Sequence, residues 1–470
     1  MGHKGEIVTS NSNDYERQAA KLLPCFQLTA QQRFPFLILL PRTTADVQRS
    51  VVFCRDFENE NKSLPKTVFQ FGWSPLPLLR PDATGDSSTA VVRRRDSCVV
   101  DLREMRSVIV DRETKTCWAE AGATIKDLDL AAEAFGLCTA SGPSSRISVH
   151  HAVVSGDCFG PQTSRFGLLM DSVIAAEVVM NTGEIKVCSL AEDPELLWII
   201  KGSASVPGCV TRLKFQLFDR PCRTVYRATM PFPLRLVESI VQACETHLGP
   251  DFTYSLAIVT HPYVVGVTVC SVQAVFTCSL ERARDLFRSL SDAIGEGPIN
   301  GDDPDVVMHE CILPKASWWQ DEIIPPDVFI CAESFRLPDA DYGNAVAFLT
   351  KAIANKPTSV IVTLDHVHGE AFLKPKGDSI WQKRQSFFSA KLLYPFTNAK
   401  MQSGDAQGEL STFRSYCRSV QEHTHDIRAP SLSCGIRHSA KALSRYYGAG
   451  MGEKVEKIEQ RYDSDRFFTS

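Results

Sequence analysis

The apolar runs of this chain are short. The longest, such as FPFLILL at Phe34 to Leu40, have the length of a strand rather than of a membrane span, so the fold has to be assembled from many brief segments. At 470 residues the chain also exceeds what one core usually covers, which predicts two domains. Hydrophobic residues make up 44%, charged residues 23%, and the net charge is −4. That balance suggests neither a nucleic acid nor a membrane surface as partner.

The amino-terminal stretch MGHKGEIVTSNSNDYERQ lacks the apolar region of a secretory signal, and Glu6 stands where myristoylation wants Ser or Thr. The expected location is therefore cytoplasmic. The 16 cysteines run from Cys25 to Cys434 without a C-x-x-C pair. They are read as reduced, mostly buried small hydrophobes, not as a zinc site or a disulfide frame.

Periodicity predicts an α+β chain of many short strands. FLILLP reads as a strand, TTADVQRSVVFCRDF as an amphipathic helix capped by Thr, and KTVFQFGW as a strand running into a turn. A helix is expected from about Thr124 to Phe135, and a hairpin with its turn at Asn181-Thr182-Gly183. Proline-bearing Arg220 to Pro233 reads as a domain junction. Beyond it, strands such as SVIVTLDHVHG and FFSAKLLYPF alternate with helices, predicting a second α+β domain with one sheet.

One stretch hints at chemistry. VSGDCFGPQTSRFG, Val154 to Gly167, has glycines at Gly156, Gly160 and Gly167, as a loop does when its backbone passes close to a cofactor, yet Asp157 and Cys158 stand between the first two.

Three segments in series resemble the berberine-bridge-enzyme-like branch of the vanillyl-alcohol-oxidase flavoproteins. They are PFLILLPRTTADVQRSVVFCRD to FQFGWS, then VVDLREMRSVIVDRETKTCWAEAGATIKDLDLAAEAFGL through DPELLWIIKGSASVPGCVTRLKFQLF, and last SRYYGAGMGEKVEKIEQRYDSDRFF. The resemblance implies a PCMH-type FAD-binding domain of two α+β subdomains over residues 1–222. It implies a substrate domain over 223–435, with one antiparallel sheet covered by helices, and a segment 436–470 that returns to the first domain. It also implies hydride transfer from a small-molecule substrate to FAD, with molecular oxygen as the reoxidant.

Carried over residue by residue, the resemblance places cofactor contacts at Phe71, Gly72, Trp73, Ser74, Gly122, Ser145, Ser148, Gly156, Asp157, Gly160, Gly202, Val210 and Tyr447. The family's flavin-linking histidine is here Trp73, and the cysteine of bicovalent members is here Ser145. Indole cannot form the histidyl bond, so any FAD is expected to be non-covalent. Phe71 replaces a loop glycine, and Asp157 brings a carboxylate that at ~4 Å from a phosphate costs on the order of 4 kcal/mol at an effective dielectric of about 20.

The strands SVIVTLDHVHG and FFSAKLLYPF resemble the pair that faces the flavin ring in that family. His366 and His368 share one strand face and are candidate general bases, with Tyr394 a candidate phenol donor. The competing readings are partly exposed histidines at a strand end and an aromatic core residue. For function, two readings stand: an FAD-linked oxidoreductase acting on a natural-product intermediate, or a descendant that has lost FAD and guides a redox-neutral cyclisation or isomerisation. A non-catalytic partner of a related flavoprotein is a third.

Overall fold

A computed structural model gives the fold. It describes residues 4–9, 11, 15, 36–60, 68–70, 98–397, 406–422 and 440–468, with short exceptions at 141, 143, 157, 161, 204, 250, 261–266, 302, 319–320, 322–327, 339–341, 374–378 and 382–385.

The first half carries two sheets. β1 (Glu6–Thr9), β2 (Leu37–Leu40), β3 (Val68–Gln70) and β4 (Cys98–Asp101) form one, in the order β1-β2-β4-β3. Every residue of LILL in β2 is buried, as a strand covered on both faces requires. The helix that follows, α1 (Thr44–Glu60), begins where the Thr43 hydroxyl accepts the amide of Asp46. A five-stranded sheet, in the order β5-β6-β10-β8-β9, is built from β5 (Val108–Asp111), β6 (Thr116–Glu120), β8 (Val173–Val179), β9 (Ile185–Ser189) and β10 (Cys209–Gln216). Short β7 (Leu137–Cys138) pairs with β11 (Phe218–Asp219). Helix α2 (Ile125–Glu133) starts in a capping box between Thr124 and Asp127, and α3 (Val149–Val154) starts at Ser148.

The second half is one antiparallel seven-stranded sheet: β12 (Val225–Pro233), β13 (Phe252–Thr260), β14 (Thr268–Phe276), β15 (Met308–Cys311), β16 (Val328–Pro338), β17 (Ile361–Val367) and β18 (Phe387–Thr397), ordered β15-β12-β14-β13-β17-β18-β16. The supposed junction at Arg220 to Pro233 is thus largely strand. Its prolines are tolerated because β15 pairs with β12 only from Val225 to Ala228, so Pro231 and Pro233 lie where that edge has no strand to hydrogen-bond.

Four helices, α4 (Val237–His247), α5 (Leu280–Ile294), α6 (Tyr342–Ala354) and α7 (Ala406–Glu422), cover one face of this sheet. Leu364, Phe388 and Leu392 of the sheet share a core there with Val241, Phe287, Phe348 and Phe413 of the helices. The chain then comes back: α8 (Ala440–Tyr447) and α9 (Met451–Tyr462) place Tyr447, Val455 and Ile458 in the core of the five-stranded sheet. The described cysteines are mostly buried. No helix among the described residues is long and apolar enough to cross a membrane.

Candidate functional site

Side chains alternate across a strand, so each face of the seven-stranded sheet can be read from its register. The face opposite the helices carries Arg227 and Thr229 of β12, Ser271 and Gln273 of β14, Thr253 and Ser255 of β13, Thr363 and Asp365 of β17, and Ser389 and Lys391 of β18. These polar residues share the face with apolar ones such as Val275, Val367 and Phe387, and most of it is buried: Gln273 is 2% exposed, Asp365 5% and Thr363 0%.

Hydrogen bonds knit it together. Ser255 Oγ donates to Asp365 Oδ1 at 2.5 Å. Gln273 Oε1 accepts from Thr229 Oγ1 at 2.8 Å and from Arg227 at 3.1 Å, while its amide nitrogen donates to Ser271 Oγ at 3.0 Å. The hydroxyls of Thr253 and Thr363 are buried with no hydrogen-bond partner among the described residues. An unsatisfied buried hydroxyl costs roughly 1–3 kcal/mol, so this face is organised for something other than stability.

Opposite it lies α3, with His150 and His151. Burial first, and the Lys391 ammonium second, lower His151 to about 4. Burial likewise drives His150 well below the usual histidine range, with a smaller push from His151. Lys391, on β18, is thus near enough to His151 for its charge to weigh on the imidazole.

The predicted reacting residues are placed otherwise. His366 lies on the helix-covered face, where its Nδ1 is 3.0 Å from Glu245 Oε1 of α4, a carboxylate that also accepts from the Tyr254 hydroxyl. Tyr394 is 5% exposed, packed in the helix-side core against Phe413. His368, its ring 4.8 Å from that of His366, is depressed to about 4 by burial first and by His366 second. The cavity beside the two histidines measures about 10 Å³, room for a single water. His366 and Tyr394 thus share the face that the helices cover, a one-residue change of strand parity exchanging faces, while His368 lies just past the end of β17 beside Phe159, Gly160 and Ser164.

The predicted cofactor residues divide into three groups. Phe71, Gly72, Trp73, Ser74 and Asp157 lie outside the described residues. Gly122, Ser145, Ser148, Gly160 and Val210 are structural in what they touch. Gly122 lies against the Leu102 carbonyl, where a Cβ has no room, and Val210 is a core side chain of β10. The Ser145 amide donates to Asp321, the Ser148 hydroxyl caps α3, and the Gly160 amide donates to the Thr163 hydroxyl.

Gly156, Gly202 and Tyr447 do come together. Both glycines have positive φ, +63° and +95°. A Cβ on Gly156 would sit 3.0 Å from the Trp381 indole nitrogen and 3.0 Å from the Cα of Gly202; one on Gly202 would sit 2.8 Å from the Met170 sulfur. The Tyr447 hydroxyl donates to the Gly202 carbonyl, and its ring meets that of Trp381 edge-on at 5.6 Å. Trp381 in turn stacks on Phe387, and both rings meet Phe159 edge-on.

The open side of each glycine is thus taken by the chain itself. Packing against Trp381, Met170 and Tyr447 accounts for the need for glycine at both positions. Trp381 and Phe387 were missed in the sequence because Phe159, which both rings meet, and Gly156 and Gly202, beside Trp381, precede Trp381 by 179 or more residues.

Comparison with known proteins places this geometry. Residues 80–189 match the family described as an FAD binding domain. The structure superposes on berberine bridge enzyme from Eschscholzia californica with a TM-score of 0.77, at 15% identity, over 99% of this chain and 95% of that one. The chain has the fold of berberine bridge enzyme, and its residues 80–189 are similar to the FAD binding domain family.

FAD is the cofactor of that domain family. In sequence, the chain is 30% identical over 169 residues to the FAD-linked oxidoreductase pgmH of Aspergillus terreus, covering 35% of this chain and 34% of that protein. It is 26% identical over 205 residues to (R)-6-hydroxynicotine oxidase of Paenarthrobacter nicotinovorans, covering 42% and 44%. The matched region thus spans less than half the length of these curated relatives.

Proposed function

We propose that the chain is an FAD-linked oxidoreductase, with FAD held non-covalently, that oxidises a small molecule of secondary metabolism and passes electrons to molecular oxygen. The supporting observation is the buried polar layer between the seven-stranded sheet and α3. A domain interface built for stability alone would bury apolar side chains throughout, as the opposite face of the same sheet does, and not intersperse Asp365, Gln273, Ser255 and Thr363 among them.

In this reading the layer holds and orients the substrate. Lys391 Nζ donates to an anionic or carbonyl oxygen. His151, kept neutral through the physiological range by burial and by Lys391, accepts a proton on its imidazole. The Asp365–Ser255 and Gln273–Thr229 pairs fix the remaining donors and acceptors.

The kinship to pgmH and to (R)-6-hydroxynicotine oxidase supports the redox assignment. The filled sides of Gly156 and Gly202 favour a second reading, in which the same layer guides a redox-neutral cyclisation or isomerisation.

An absorbance spectrum of the purified protein, taken before and after acid precipitation, separates the two. A flavin band that moves to the supernatant is the expected result and selects the oxidoreductase. A colourless protein that gains no thermal stability from saturating FAD sinks it.

A further inference from the structure

Where β4 begins, two sulfurs lie close to bonding distance. β2 and β3 both run parallel to β4, so α1, which follows β2, has to run back the other way for the chain to enter β3. That return brings Cys54, in the second half of α1, level with Cys98, the first residue of β4. Their Sγ atoms are 3.3 Å apart, just over an ångström longer than a disulfide bond of ~2.0 Å. Cys54 is 1% exposed and Cys98 3%, in a core shared with Leu39, Val51 and Val100.

Burial alone makes a thiol inert. It pushes Cys117, Cys188 and Cys270, on strands of the other sheets, up to about 12. For Cys54 and Cys98 proximity compensates: once either sulfur is oxidised, the other is already in place to attack it.

We propose that Cys54 and Cys98 are a disulfide-forming pair, oxidised by hydrogen peroxide to a clasp that pins α1 to β4. Peroxide is small enough to enter when the strand end opens locally, whereas a glutathione disulfide is too bulky for a site buried to this degree. One thiol takes an oxygen atom from peroxide, becoming a sulfenic acid and releasing water. The second sulfur then attacks the first, the S–S bond forms, and the hydroxyl leaves with the second thiol's proton as another water. Two thiols thus lose two electrons and two protons, and one peroxide becomes two waters. Neither step depends on bound FAD. The two residues are 44 positions apart with β3 between them, and closing a span of that length removes chain entropy from the unfolded state.

The test treats the whole protein with hydrogen peroxide, blocks the remaining thiols with iodoacetamide, and maps the unreduced tryptic digest by mass spectrometry, beside thermal melts before and after oxidation. Peptide Ser50–Arg55 joined to Asp96–Arg103 is the expected product. The melting midpoint should rise by about 5 °C, fall back with dithiothreitol, and stay unchanged on oxidation in Cys54→Ala and Cys98→Ala. Cys54 joined to another cysteine, either thiol carried on to sulfinic or sulfonic acid, both recovered as alkylated thiols, or a midpoint that does not rise would each overturn the pair. The peptide map is read on the unmutated protein, so it decides even where an alanine variant fails to fold.

Discussion

The two faces of the seven-stranded sheet are made from the same strands, yet one is a continuous apolar core and the other mixes polar with apolar side chains. Toward α4 to α7 the strands present Leu256, Val272, Leu364 and Leu392, which fill a common apolar cluster. Toward α3 they present Ser255, Ser271, Asp365 and Lys391. Both faces are buried, so solvent does not explain the contrast. The helix-side face secures the fold, and the other spends that stability on polar groups that a ligand can use.

The largest effect is expected from damage to the helix side. Leu364→Ala removes a side chain with 0% exposure and should cost about 2–5 kcal/mol in denaturant unfolding, whereas substitution of its neighbour Asp365 by Asn should cost well under half of that. Equal losses would mean that the two faces do the same work.

Next comes pH. His151 has its folded value depressed to about 4 by burial and by Lys391, against 6.5 for an ordinary histidine. Its contribution is full above pH 6.5 and is lost as pH falls toward 4, on the order of 3 kcal/mol in total. Melting curves across that range should flatten in His151→Gln, and an unchanged slope would place the titration elsewhere.

For activity, Lys391→Met is expected to lower kcat/KM by about 100-fold, on the scale of a lost acid–base or orienting group. His366→Gln, on the other face, should change it by less than roughly fivefold. The reverse ranking would restore His366 as the reacting residue.

The smallest effect has the opposite sign. Thr363→Val replaces a buried hydroxyl that has no hydrogen-bond partner among the described residues, and it should raise stability by up to about 1 kcal/mol. Destabilisation would show that the hydroxyl is satisfied.

Much of the local structure was legible in the residues. The strand at Leu37–Leu40, the helix from Ile125 behind its Thr124 cap, and the hairpin at Asn181-Thr182-Gly183 follow from periodicity, capping and turn chemistry. Each of these signals acts within a few residues. The parity of β17 was legible as well: Val362 and Leu364 are apolar, and His366 shares their face, whereas Thr363 and Asp365 mark the other. What misled was the histidines' chemistry, which drew attention to their strand and away from its alternation.

The sequence by itself therefore determined the α+β layout, the order of strands and helices, and which residues on each strand lie on the same side. Only the tertiary structure decided which side is the continuous apolar core, that Trp381, Met170 and Tyr447 close over Gly156 and Gly202, and that Lys391 comes near enough to His151 for its charge to weigh on the imidazole. Propensity and alternation are carried by neighbouring residues. A face acquires its role only from what packs against it, and here those partners lie up to about 290 residues away along the chain.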